Sequence, residues 1–522
     1  MDPTSQTDET HHLAQEHSDD HDHQLARKHT DDDDHHHHHS PQTTDPFSIL
    51  LQPIQWLQML SSQINPSFIF GVVLVYGLSQ GFSGSFFKVV TDYYWKDVQK
   101  VQPSVVQLYI GLYYIPWVMK PVWGILTDVF PVKGYRRRPY FVLAGVLGVA
   151  SSLMVALNGN LSAVTALIFL VGATAAMAIA DVTIDACIAK NSIEIRSLAS
   201  DLQSLCAFCS SAGALVGYST SGFFVHHLGA QGALGVLAIP PVLVTVLGFM
   251  IYEERTTRLP SQKKRAVGKV VVAVKGMYKT IKFPQVWKPS LYMYLSLALS
   301  LSTHEGMFYW YTDPKAGPAF SQEFMGIIYA IGAMASIVGV LIYHKTLKDY
   351  PFRTLIFFSQ LLYSISGMLD LIFIFRWNLG LGIPDSFFVI MEECVSRIVS
   401  RLRWMPMIVL STRLCPLGIE GTFFALLMCI DSLGALSAKW GGGMLLHLLR
   451  VTRSDFSNLW LVVFIRNVLR FSTLCLIFLV PTADQSEVLV PSDLLTNSTS
   501  AVDEEEDHES LELVPKKETV RV

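Results

Sequence analysis

Lys120-Pro121-Val122-Trp123-Gly124-Ile125-Leu126-Thr127-Asp128 closes a long apolar run, and Phe130-Pro131-Val132-Lys133-Gly134-Tyr135-Arg136-Arg137-Arg138-Pro139-Tyr140 follows almost at once. An apolar helix ends on an acid. A short loop then carries Lys133, Arg136, Arg137 and Arg138, and another apolar run begins. Cations gathered between two apolar runs mark a cytosolic loop between membrane spans.

The rest of the chain agrees. Of its 522 residues, 51 % are hydrophobic and only 16 % charged, against roughly 25 % charged in an average soluble domain. Mean hydropathy is +0.37. The apolar residues come in blocks of about 20, enough to cross a hydrocarbon core roughly 30 Å thick. The alternating segments of about 10 residues that a transmembrane β-barrel needs are not seen.

Spans are expected near Ile69–Lys88, Val106–Leu126, Tyr140–Leu157, Leu161–Ile184, Leu202–Phe224 and Leu234–Tyr252, then near Leu291–Tyr311, Gly326–Tyr343, Leu355–Phe375, Phe387–Leu410, Gly418–Leu446 and Leu459–Leu479. The tenth holds Glu392, Glu393, Arg397, Arg401 and Arg403 and scores poorly on hydropathy. The fold class is thus an all-α polytopic membrane protein of about twelve transmembrane helices in two six-helix halves, the major facilitator plan. The halves are placed at 66–252 and 289–482, joined by a basic cytoplasmic linker at 253–288. An acidic, His-rich cytoplasmic N-terminal tail (1–50) is too polar to bury a core and reads as disordered, and an acidic C-terminal tail (483–522) reads as a solvated cytoplasmic tail. Gly124…Asp128…Arg136 and Gly339…His344-Lys345…Arg353 hold corresponding places in the halves, a weak internal repeat in which the second copy lacks the acid.

Cations fall in every second loop, so both termini are expected in the cytosol. The start has neither the basic and apolar regions of a signal peptide nor the composition of a transit peptide. The plasma or vacuolar membrane is therefore favoured. All seven cysteines lie in or beside spans, and Cys206 and Cys209 read as packing residues rather than a redox pair.

Charge inside a span costs roughly 2.5–3.5 kcal/mol on insertion scales and needs a reason. Lys120 lies in the second span. Asp181 and Asp185, four residues apart, share one face of the fourth. Glu305, Arg397 and Asp431 lie in the seventh, tenth and eleventh. These six are the candidate substrate-binding or proton-coupling residues. Structural ion pairing is the competing reading: Lys120 with Asp181 or Asp185, and Arg397 with Glu393. His304, beside Glu305, is a candidate proton relay. Asp128 with Arg136, Arg137 and Arg138 is read as a gating loop, against the simpler reading that its cations only set topology. No phosphate-cradling loop, zinc-protease helix or nucleophile elbow is present. The expected protein is therefore not an enzyme and carries no cofactor or resident metal. The tail's His run invites a metal reading that disorder answers as well.

Three motifs point further. Lys120-Pro121-x-x-Gly124-x-x-Thr127-Asp128 with Gly134-Tyr135-Arg136-Arg137-Arg138-Pro139-Tyr140 resembles the folate–biopterin transporter family, in the style of its plant branch. So do Asp181-Val182-x-x-Asp185-Ala186 and Gly418-Ile419-Glu420-Gly421-Thr422-x-x-Ala425-Leu426-Leu427. The resemblance runs from about Phe70 to Val480. It implies alternating-access carriage of folates or pterins, with protons, across a lipid bilayer, and no nucleic-acid partner. Asp181 or Asp185 would then take the pterin edge or the coupling proton, and Lys120 and Arg397 the glutamate carboxylates. Tyr113, Tyr114, Trp117, Tyr309 and Trp310 are the nearest stacking candidates. A carrier of another organic anion or metabolite, and a non-transporting receptor or scaffold on the same fold, remain open on sequence alone.

Overall fold

The computed structural model describes residues 56–194, 199–253, 278, 280–414 and 420–484. The two tails and nearly all of the basic linker lie outside the described residues, as do Gly418 and Ile419 of the third motif. By chain contacts residues 1–63 form one unit and 64–522 another; the membrane bundle is the second.

Seven helical stretches are long and apolar enough to cross a membrane. They hold eight passes, because Ser204–Met250 (47 residues) is broken at Gly229, where φ is +70°. A side chain there would be strained. Four more passes complete twelve among the described residues. The second is built from Pro103–Leu112, Ile115–Val118 and Lys120–Val129, the seventh from Pro284–Ala298 and His304–Tyr311. The tenth and eleventh are Asp385–Arg413 and Glu420–Leu448. Proline in the first turn begins several segments, at Pro66, Pro103 and Pro284, where its missing N–H costs nothing. Ser321 caps the eighth pass by accepting from the Phe324 N–H at 3.2 Å.

The passes bury one side and leave the other apolar. Leu157, Ile168, Phe208, Phe249 and Met444 are each more than 60 % exposed. A water-soluble domain seldom shows so much apolar surface; a face turned to lipid requires it. Inside the bundle the first and fifth passes approach backbone to backbone. A Cβ on Gly213 would stand 2.0 Å from the Gly77 carbonyl oxygen, and one on Gly81 2.5 Å from that of Ser210. Small residues substitute here for the hydrophobic drive that lipid removes.

Two details position charge. The first pass continues beyond Lys88 to Val98 and is wound as a π-helix over Val73–Phe82 and Tyr94–Val98, a form common at functional sites. The seventh pass unwinds between Ala298 and His304, and the Ser302 N–H donates to the Ala438 carbonyl of the eleventh at 3.0 Å. Non-helical backbone at membrane depth survives only where protein satisfies it.

The halves repeat one another at an arginine. Arg138, opening the third pass, donates from Nε to the Ile251 carbonyl at 2.9 Å and from Nη2 to the Phe249 carbonyl at 2.7 Å, closing the sixth. Arg353, opening the ninth, donates from Nε to the Val480 carbonyl at 2.8 Å and from Nη2 to the Phe478 carbonyl at 3.4 Å, closing the twelfth. The equivalence lies in what each arginine caps, which the looser sequence repeat does not display.

Bonds between the halves gather near the loops at 99–103, 312–321 and 449–458. Lys96 Nζ donates to Thr312 Oγ1 at 2.5 Å, Tyr309 Oη to the Val101 carbonyl at 2.9 Å, and Arg453 Nη2 to the Lys96 carbonyl at 2.8 Å.

Candidate functional site

The structure sorts the candidate residues into three groups. The first lies inside the first half. Lys120, in the segment that restarts the second pass, forms an ion pair with Asp181 on the fourth. Its ammonium also lies 4.8 Å from the centre of the Trp117 ring. One turn along, Asp185 accepts from the Tyr76 hydroxyl, carried on the π-wound part of the first pass. Asp181 is fully buried, while the Lys120 side chain keeps about a third of its surface open. The group therefore offers a reachable ammonium, an indole face and two carboxylates already held in place.

The second group joins the halves. Glu305 opens the restarted segment of the seventh pass beside His304, whose Nε2 lies 3.0 Å from Asp92 Oδ2 on the first pass. The Glu305 N–H donates to Gln107 Oε1 at 3.1 Å.

The third group lies within the second half. Arg397 Nε donates to Glu393 Oε1 at 2.6 Å. Arg466 pairs with Asp370, and its Nη1 donates to Thr303 Oγ1 at 3.0 Å. Arg403 and Arg470 lie 4.5 and 4.3 Å from the centre of the Tyr363 ring. Asp431 is half-buried on the eleventh pass, with Arg403 close enough to act on it. Lys120, Asp181 and Asp185 are thus brought together, whereas among the described residues no hydrogen bond or ion pair joins Glu305, Arg397 or Asp431 to them or to one another.

Of the loop cations, Arg137 and Arg138 find partners for their side chains within their own half. Arg137 Nη1 donates to Thr127 Oγ1 at 2.7 Å. Glu253 accepts from the backbone N–H groups of Arg136, Arg137 and Arg138 at 2.6–3.1 Å, capping the third pass. Asp128 stands in the last turn of its helix, and its side chain lies outside the described residues. Losing such a cap costs about 1–2 kcal/mol. Glu253→Ala is therefore expected to speed trypsin cleavage at Lys133 to Arg138 several-fold; an unchanged rate would show that the cap does not hold the loop.

Of the stacking candidates, Trp117 lies beside Lys120. Tyr309 and Trp310 are packed into the core near the inter-half bonds, where the Trp310 indole N–H donates to the Ala316 carbonyl at 3.0 Å. Tyr113 accepts from the Trp95 indole N–H at 2.8 Å. Cys206 and Cys209 are free and buried. Sequence reasoning missed Tyr76, Asp92, Gln107, Asp370, Arg466 and Glu253. Asp92 carried a usable signal: it stands between Val89-Val90 and Tyr93-Tyr94-Trp95, an acid in an apolar run.

The sequence profile of the BT1 family matches residues 80–496, which takes in every residue of the three groups except Tyr76. The chain belongs to the BT1 family. Among relatives, the protein named probable folate-biopterin transporter 6 of Arabidopsis thaliana is 68 % identical over 87 % of this chain and 90 % of its own. The folate-biopterin transporter of Synechocystis is 30 % identical over 76 % of this chain and 78 % of its own. Of solved structures, the nucleoside transporter NupG superposes with a TM-score of 0.60 at 13 % identity, over 79 % of this chain and 99 % of its own. The xylose transporter XylE from E. coli does so with a TM-score of 0.54 at 15 % identity, over 82 % and 99 %. Likeness at such identity establishes the fold alone, and that fold is the major facilitator fold. This BT1 member is an integral multi-pass membrane protein.

Proposed function

We propose that this chain is a secondary-active carrier of folates or pterins that works by alternating access and is driven by protons. The observation that carries the reading is the Lys120–Asp181 and Tyr76–Asp185 group, set among the passes of a membrane bundle with Asp181 fully buried, in a chain 68 % identical to a plant protein named as a probable folate-biopterin transporter. Its chemistry suits the cargo. The glutamate tail of folate brings carboxylates, which Lys120 can meet from its open side. The pterin ring brings an N–H edge that an aspartate accepts through two bonds, and a flat face suited to Trp117. In this reading both termini lie in the cytosol, in the plasma or vacuolar membrane. The end bearing Lys96, Thr312 and Arg453 is then the outer one, and it is closed.

The test is uptake of labelled folic acid and biopterin by a folate-auxotrophic bacterium expressing the chain, at acidic and neutral pH. Saturable uptake that rises in acid is expected. Asp185→Ala removes a charge-assisted contact worth about 2–5 kcal/mol and should reduce uptake roughly 30-fold or more, with the protein still present in the membrane. No uptake by the parent chain would move the search to other organic anions; full uptake by the variant would remove Asp185 from the site.

A further inference from the structure

The group at Asp92, His304 and Glu305 lies apart from the Lys120 group and has different properties. Its three nearest polar atoms lie within 4.8 Å of one another, with His304 Nε2 at 3.0 Å from Asp92 and 4.0 Å from Glu305. Asp92 is 1 % and Glu305 0 % exposed. Asp92 Oδ1 and both Glu305 carboxylate oxygens have no hydrogen-bond partner. The Gln107 amide is engaged with the Glu305 N–H and with Ser302 Oγ at 3.2 Å. Two dry carboxylates cannot both stay ionised in such surroundings without a large cost. A proton shared through the imidazole removes that cost.

Other ionisable groups face the cluster from the neighbouring passes. Lys88, on the first, lies over the Tyr329 ring of the eighth at 4.6 Å, and Lys439, on the eleventh, over the Tyr114 ring at 5.5 Å. Both lie close enough to act on His304 and Glu305. The hydroxyls of Tyr113 and Tyr309 are engaged with Trp95 and Val101, and Tyr93 stands next to Asp92. The cations keep their distance, so none forms an ion pair with either carboxylate among the described residues.

Placement gives the cluster its meaning. Lys96 is one turn beyond Asp92, and Tyr309 one turn beyond Glu305; both bind across the halves. The cluster therefore sits one helical turn inside the closed seam, with Asp92 on one half and His304 and Glu305 on the other. We propose that Asp92, His304 and Glu305 hold the driving proton between the halves, and that loading this proton is what lets the seam close. This rests on the proton-driven, alternating-access part of the reading above and not on the identity of the cargo. When the seam parts, Asp92 leaves its partners, water enters and a proton is taken from solution on that side. When the seam shuts, the proton stays bound until the opposite side opens and releases it.

The test reads the seam directly and needs no cargo. Val101→Cys is placed at the seam, where its backbone carbonyl keeps its bond to Tyr309. The full chain in vesicles is then labelled with a membrane-impermeant maleimide at pH 5.5 and pH 8. Thiolate chemistry alone raises the rate at pH 8 in every variant alike. Beyond that shared rise, the parent should label at least about fivefold faster at pH 8, and Glu305→Gln, which is neutral at both, should lose the excess. Asp92→Asn provides a second route if Glu305→Gln does not fold. In cells, acid-driven accumulation should fall at least about tenfold in both variants. No excess in the parent, an excess that survives both variants, or accumulation that follows a sodium gradient instead would overturn the proposal. A chain that keeps pH-gated labelling but carries no folate overturns the cargo reading and supports this one.

Discussion

Lys120→Met is expected to destabilise the purified protein by about 3–5 kcal/mol and to abolish uptake. The substitution leaves Asp181 fully buried, with no cation where its ion pair was. Against a total stability of roughly 5–15 kcal/mol that loss is severe, and thermal unfolding in detergent should show it as a clear fall in midpoint. The double variant Lys120→Met/Asp181→Leu separates fold from function. Replacing both members of a buried pair by apolar residues is often neutral or stabilising, so the midpoint should return to within about 1 kcal/mol of the parent's while uptake stays absent. A double variant that transports would make the pair purely structural. A single variant as stable as the parent would mean that Asp181 finds another way to be satisfied.

Gly213→Val should remove the folded protein altogether. Its first added carbon would stand 2.0 Å from the Gly77 carbonyl oxygen and 2.9 Å from the Phe82 nitrogen. Both obstacles are backbone, so no rotamer change relieves them. Overpacking a core costs about 1–3 kcal/mol even when side chains can move. Here the first and fifth passes must separate, which also displaces Tyr76 from Asp185. Monodisperse protein after extraction should fall at least about tenfold. Gly84→Ala is the control, since nothing lies within 4 Å of a Cβ there, and it should extract like the parent. Equal yields for the two variants would show that the close approach is not needed.

The legible part of the fold was set by the demands on each segment. Lipid-facing runs such as Arg138–Leu157 and Gln322–Leu347 declare themselves by composition, because one whole face must be apolar. Sequence alone ends the first pass at Lys88, because Lys88, Asp92 and Lys96 resemble a solvated end. It runs on to Val98 because His304 and Thr312 on the seventh pass supply the partners those charges need. The acid at Asp92 stands out in its apolar run, but the identity of a partner more than 200 residues away does not. The same reason hides Tyr76, which resembles any lipid-facing aromatic until Asp185 is placed against it. Pairs within one helix, such as Glu393 with Arg397, are readable from spacing. Lys120 pointed to two possible acids, and only the fold chooses Asp181.

The paired arginine caps have a mechanical meaning. Arg138 ties the beginning of one helix to the end of another more than 100 residues later, and Arg353 does the same in the other half. Each acts as a rivet through the rim of its own six-helix shell. Shells riveted this way tilt without warping, so displacement at one rim reappears at the opposite rim with little lost to internal give. The stroke of the machine is then set by the hinge between two stiff plates, and slack introduced at either rivet should dull both ends of the cycle at once.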